Sequence, residues 1–146
     1  MSERLGMYAK LYRNTGTYAA PVWAEVANVK DVTLNLEKGE ADVTTRANSG
    51  WRATVGTLKE ASLEFEMVWD TADAGFQAIQ SGWFNDEPLE VAVMDGAIDE
   101  SGSEGLRATM SVISFSRKEP LEEAMTVSVT VKPTYAEHPP EWMKVP

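Results

Sequence analysis

Few residues in this chain are equipped for catalysis. A nucleophilic triad needs a base, and the only histidine, His138, sits beside Pro139 and Pro140, away from any strand-to-helix turn that could present a nucleophile. One His and no Cys cannot fill a tetrahedral zinc site, and thiolate and disulfide chemistry are excluded with the cysteines. No glycine-rich phosphate loop or dinucleotide fingerprint occurs. Carboxylates are plentiful instead. Asp95, Asp99, Glu100 and Glu104 offer the oxygen ligands that calcium takes, yet lack the spacing of a calcium loop, and a solvated hairpin tip explains them more simply. Glu122-Glu123 could suggest the paired acids of glycoside hydrolysis, but in a chain with 23 Asp and Glu such neighbours arise by chance. Five tryptophans remain. Trp69 and Trp83 fall in phase with apolar stripes and read as core, whereas Trp23, Trp51 and Trp142 could stack on a sugar or another flat ligand. No catalytic residue, metal or cofactor is expected, and an enzyme has no anchor here.

The elements behind these residues form one domain, 1–146, long enough to bury a core without staples and 43% apolar. Residues 1–6 read as an extended N-terminal segment and 133–146 as a Pro-rich C-terminal tail. No apolar run approaches a signal peptide or a membrane span, so a product of the cytoplasm with no membrane partner is expected. The net charge of -10 is concentrated in the middle of the chain. Residues 1–59 hold 8 Lys and Arg against 6 Asp and Glu, residues 60–106 hold 12 acids and no base, and residues 107–146 hold 5 of each. Such a block repels phosphate backbones and argues against specific DNA or RNA binding, although it also serves as plain solubilising surface.

Hydrophobic periodicity sets the elements. Ala61, Leu63, Phe65, Met67 and Trp69 take every second position, with Ser62, Glu64 and Glu66 between them, which makes a strand with one dry and one wet face. Val32, Leu34 and Leu36 form an earlier strand, broken at Lys38-Gly39. Val43 to Arg46 extends a second strand through Thr44 and Thr45, and a long loop follows through Asn48-Ser49-Gly50 to Gly56. Tyr8 to Tyr12 is a short strand, and Pro21 makes 17–26 an irregular or edge segment. Asp70 or Thr71 caps a helix whose stripe is Ala72, Phe76, Ile79 and Trp83, ended by Asn85 to Pro88. Leu89 to Val93, Leu106 to Val112 and Met125 to Val131 give the later strands, and the phase slip at Ile113 signals a bulge. The pattern is mainly β, a β-sandwich or partly open β-barrel with one flanking α-helix.

Gly50-Trp51-Arg52, then Gly56-Thr57-Leu58-Lys59, then alternation into Val68-Trp69-Asp70, resembles the phage tail tube (major tail protein) family. Val32-Thr33-Leu34-Asn35-Leu36 and the later Thr126 to Pro133 fit the same order of strands, helix and strands, so the resemblance spans 7–133. The approach Gly56-Thr57-Leu58-Lys59 is one residue longer than the family's "GLK"-like form. The resemblance implies a virion component without catalytic residues. Copies of the chain would form homohexameric rings stacked into a hollow tube, through which DNA passes without specific binding. A tape-measure protein and tail terminator or baseplate proteins are the further partners implied. Assembly would take place in the host cytoplasm, and the product would reside in the virion tail.

Two sets of residues then acquire expected roles. Glu64 and Glu66, on the wet face within the base-free block, are expected to line the lumen, where an acidic wall keeps DNA phosphates from sticking. Residues 38–57, with Thr44, Thr45, Arg46, Trp51 and Arg52, are expected to touch the next ring as a mobile loop that orders on stacking. Trp51 could equally cover the core beneath that loop. The reading in another class is a β-sandwich carbohydrate- or ligand-binding module that uses the exposed tryptophans.

Overall fold

The alternating segments pair into one antiparallel sheet, seen in a computed structural model that describes residues 5–146. Most of the N-terminal segment expected over 1–6 therefore lies outside the described residues. The strands are β1 (Lys10–Asn14), β2 (Trp23–Glu25), β3 (Val29–Asp42), β4 (Thr54–Val68), β5 (Leu89–Met94), β6 (Glu104–Lys118), β7 (Thr126–Pro133) and β8 (Glu141–Lys144). Their order is β2-β1-β5-β6-β7-β4-β3, with β8 also on β6. β6 joins the two halves. One of its edges takes β5, while the other is shared by β8 at Glu104–Arg107 and β7 at Met110–Lys118.

Leu11 and Val26, from one end of this order, share a single apolar core with Leu63, Phe65 and Met67 from near the other end. The sheet is therefore rolled around its apolar face. The roll stops short of closure, since β2 and β3 remain its outermost strands. An open groove of about 590 Å³, lined by Leu11, Glu25, Val26, Val29 and Val32 among others, occupies the seam. The fold is mainly β with one flanking helix, and the sheet is not closed into a barrel.

That helix, α1 (Ala74–Phe84), starts later than Asp70 or Thr71 would place it. The Asp70 carboxylate is occupied in a local turn, accepting the Ala72 N–H at 3.0 Å, and Asp73 is the cap, accepting the Phe76 N–H at 2.9 Å. Phe76 and Ile79 press into the core, and Trp69 meets Phe76 edge-on with ring centroids 4.9 Å apart. Trp83, expected in the buried stripe, is 44% exposed. In the last turn the buried position passes to Gly82, where a Cβ would stand 3.1 Å from Val112, so the backbone itself seats against β6 and Trp83 packs on Phe84 instead.

β3 and β4 are longer than their sequence pattern implied. Lys38-Gly39 does not break β3 but marks a bulge, with the register slipping between Lys38 and Glu40. A Cβ there would stand 2.6 Å from the Thr57 hydroxyl, so a larger residue would have to turn that side chain aside. The strands continue to Asp42 and Thr54, so Val43 to Arg46 belongs to the connection and the expected loop over 38–57 shrinks to 43–53. The phase slip in β6 is a register shift between Val112 and Ser114. Within 133–146, Glu141–Lys144 is a paired strand.

Candidate assembly surfaces

Beyond Leu36 and Ala61 the β3–β4 hairpin leaves the core, and its arm extends roughly 25 Å at the usual rise per strand residue. Its tip is tied by its own hydrogen bonds. Val43 N–H donates to Ala53 O at 2.9 Å, Thr44 N–H to Asp42 Oδ1 at 2.8 Å, and Ala53 N–H to Thr44 Oγ1 at 2.9 Å. Ser49 and Gly50 supply the two left-handed residues that turn the chain. Thr44, through its side chain and then its N–H, holds the Asp42 carboxyl below the usual carboxylate range. The tip is thus a structured turn, which leaves less ordering entropy to be lost on stacking than a long loop would.

Thr44, Thr45, Arg46, Trp51 and Arg52 come together around one open groove of about 770 Å³, with Asp42 and Gly50 beside them. Trp51 is 78% exposed and covers no core. Leu58, 80% exposed, and Val43, Val55 and Leu36 add further apolar surface along the arm. The sequence shows Leu58 only as part of the Gly56-Thr57-Leu58-Lys59 motif and Val55 only as loop, so their exposure along one continuous strand is not legible in it. Trp23 and Trp142 are not part of the tip groove: Trp23 lies 5.1 Å from the Arg107 guanidinium, and the Trp142 Nε1–H donates to Glu104 Oε1 at 3.0 Å.

Glu64 and Glu66 project from the face of β4 opposite Leu63, Phe65 and Met67. Glu64 is exposed and sits between Thr33 on β3 and Thr130 on β7; Glu66 is half-buried between Lys30 and Ser128. Ser114 and Ser116 on β6 continue this polar face. It is hydroxyl-rich and carries both signs of charge, less acidic than the base-free run of sequence implied.

The outer face of the other half of the sheet is covered. Arg107 donates from Nε to Glu90 Oε2 at 2.7 Å, with both side chains almost entirely buried, and from Nη2 to Tyr18 O at 2.8 Å. Its guanidinium lies 3.9 Å from the Tyr18 ring centroid, and His138 stacks on the same ring at 3.6 Å. The Tyr18 hydroxyl donates to Glu141 at 2.9 Å, which raises the phenol above its ordinary range. Asn14 completes the group by donating to Glu90 at 3.0 Å. The cluster pins the β1–β2 connection and the C-terminal segment across the sheet, and gives His138 a stacking role. Next to it Tyr12, Ala92 and Met94 form a second small core with Met143 and Val145. In the 95–104 loop, Asp95 Oδ1 accepts the Glu104 N–H, and no group of three metal-ligating side chains converges among the described residues.

The family model described as phage tail tube protein matches residues 10–134. The fold is similar to that of a subunit from the tail of an empty gene transfer agent particle refined with C6 symmetry, with a TM-score of 0.72 and 16% identity over 99% of this chain and 100% of that one. The tail tube of SPP1 gives a TM-score of 0.71 at 14% identity, covering 89% of this chain and 75% of that one. A chain from the baseplate of the anti-feeding prophage gives 0.63 at 10%, covering 99% of each. No curated protein matches in sequence. No helix among the described residues is long and apolar enough to cross a membrane. With the family match spanning β1 to the end of β7 and an overall fold similar to the subunits of these tails, the chain belongs to the phage tail tube protein family and is a structural subunit of a tail tube.

Proposed function

We propose that copies of this chain close into hexameric rings and that the rings stack into the DNA-conducting channel of a virion tail. The observation that carries this reading is the β3–β4 hairpin, a 14- and 15-residue strand pair whose outer half joins no core cluster among the described residues and which exposes Trp51 and Leu58. β3 is also the outermost strand of the sheet, so one of its edges is open to pairing along the subunit boundary. Ring contacts of this kind are heterologous and close by rotation, whereas ring-on-ring contacts propagate. In the tube, the hydroxyl-rich face with Glu64 and Glu66 lines the lumen, and DNA passes it without specific contact. A tape-measure protein in that lumen and terminator or baseplate proteins at the tube ends are the remaining partners, with assembly in the host cytoplasm. The role is non-enzymatic. Negative-stain microscopy of the purified protein at rising concentration tests the reading: hollow tubes or six-membered rings are expected. Particles that stay monomeric at every concentration, even with preformed tube ends added, would overturn it.

A further inference from the structure

The two poles of β4 carry loops of opposite character, and we propose that the tip groove of one copy receives the 119–125 loop of the next. This deepens the stacking role proposed for the tip and rests on it. β4 covers about 50 Å of extended chain from Thr54 to Val68. At its start, the 43–53 connection carries Arg46 and Arg52 and no acid, and Asp42, which also lines the groove, partly offsets them. At its far end, Val68 and Lys118 both pair with Thr126, and Trp69 N–H donates to Met125 O at 2.9 Å. The β6–β7 connection, Glu119-Pro120-Leu121-Glu122-Glu123-Ala124-Met125, therefore stands at the opposite pole, with three acids and no base. Asp70 adds to this negative end, while Lys118 and Arg117 partly offset it.

Each pole also leaves a large apolar side chain almost wholly in water. Leu121 is 100% exposed and Trp51 78%. Neither Arg46, Arg52, Glu122 nor Glu123 has an ion pair among the described residues, and only Glu119 is engaged, with Arg117 at 3.7 Å. Seating Leu121 against Trp51 brings the glutamates to the rim arginines and shields those pairs from solvent. A contact between unlike poles is heterologous, and with the two poles at opposite ends of β4 it repeats by translation along one axis rather than closing by rotation. Like poles would set Arg against Arg or Glu against Glu, which fixes a single polarity for the stack.

Charge reversal tests the pairing. Three chains are compared by pelleting and microscopy: Arg46→Glu with Arg52→Glu, Glu122→Arg with Glu123→Arg, and all four together. All four sites are exposed, and thermal melting of each variant confirms that the subunit stays folded. Each pairwise reversal is expected to cut the pelleted tube fraction at least tenfold, and the fourfold variant to regain tubes. Wild-type tube yield from the Glu122→Arg, Glu123→Arg chain overturns the pairing, as does a fourfold variant that stays unassembled. If only the tip reversal abolishes tubes, the tip keeps its stacking role with a different socket; if neither reversal matters, the stacking role falls as well.

Discussion

The half of the sheet built on β1, β5, β6 and β8 and the arm built on β3 and β4 use the same alternating strands, but only the first is covered on both faces. β5 buries Val91 toward the main core and Ala92 and Met94 toward the second one. Among the described residues no core cluster reaches the hairpin arm beyond Leu34 and Ala61, and Lys38 stands directly across from Lys59, a like-charge pair that weakens the arm in isolation. Strand pattern alone does not decide what a strand is for. Covered strands hold the subunit together, while the uncovered arm contributes little to folding and keeps its apolar surface for another chain.

The largest expected effect breaks the covered half. Arg107→Met should cost about 3–5 kcal/mol in denaturant unfolding, because it strands Glu90 as a buried charge. Adding Glu90→Leu should restore most of that loss, which would show that the pair specifies the packing more than it stabilises it. Gly105→Ala should cost about 1–3 kcal/mol, since its Cβ would fall 1.8 Å from the Val93 carbonyl oxygen and force β5 and β6 apart. On the arm the same measurement should barely respond: Leu58→Ser is expected to change stability by less than about 0.5 kcal/mol while reducing tube yield. The smallest effect concerns pH. Asp42 ionises at lower pH folded than unfolded, so its tie to Thr44 is fully present above the ordinary carboxylate pKa of about 4 and fades as pH falls through the lower folded value. Protection of the Thr44 and Ala53 amides, taken relative to their intrinsic exchange rate at each pH, should therefore fall in that acid window, and Asp42→Asn should remove the dependence.

Much of this contrast could be read from spacing. The two-residue period at Ala61 to Met67 placed Glu64 and Glu66 on the wet face, and the slip at Ile113 marked a true bulge. The helix was placed correctly but capped three residues early, because Asp70 and Asp73 are chemically equivalent caps and only tertiary packing chooses between them. The arm was misread as loop. Glycines at 39, 50 and 56 look alike in sequence, yet Gly39 serves a bulge while Gly50 turns the chain. The Arg107 cluster was invisible, since Tyr18, Glu90, His138 and Glu141 are brought together by strand order and by β8, neither of which local pattern encodes. Trp51 reads from the sequence as a large loop-borne aromatic that could face a neighbour or the core, and its 78% exposure removes the second of these readings.

The division of labour between the two regions is tested most directly by Trp51→Ala, measured for melting temperature and for tube length in the same preparation. The side chain is 78% exposed, so the melting temperature should stay within about 2 °C of the parent. Tubes should be absent or reduced to short stacks. Normal-length tubes from the folded variant would contradict the account, as would a subunit that no longer folds.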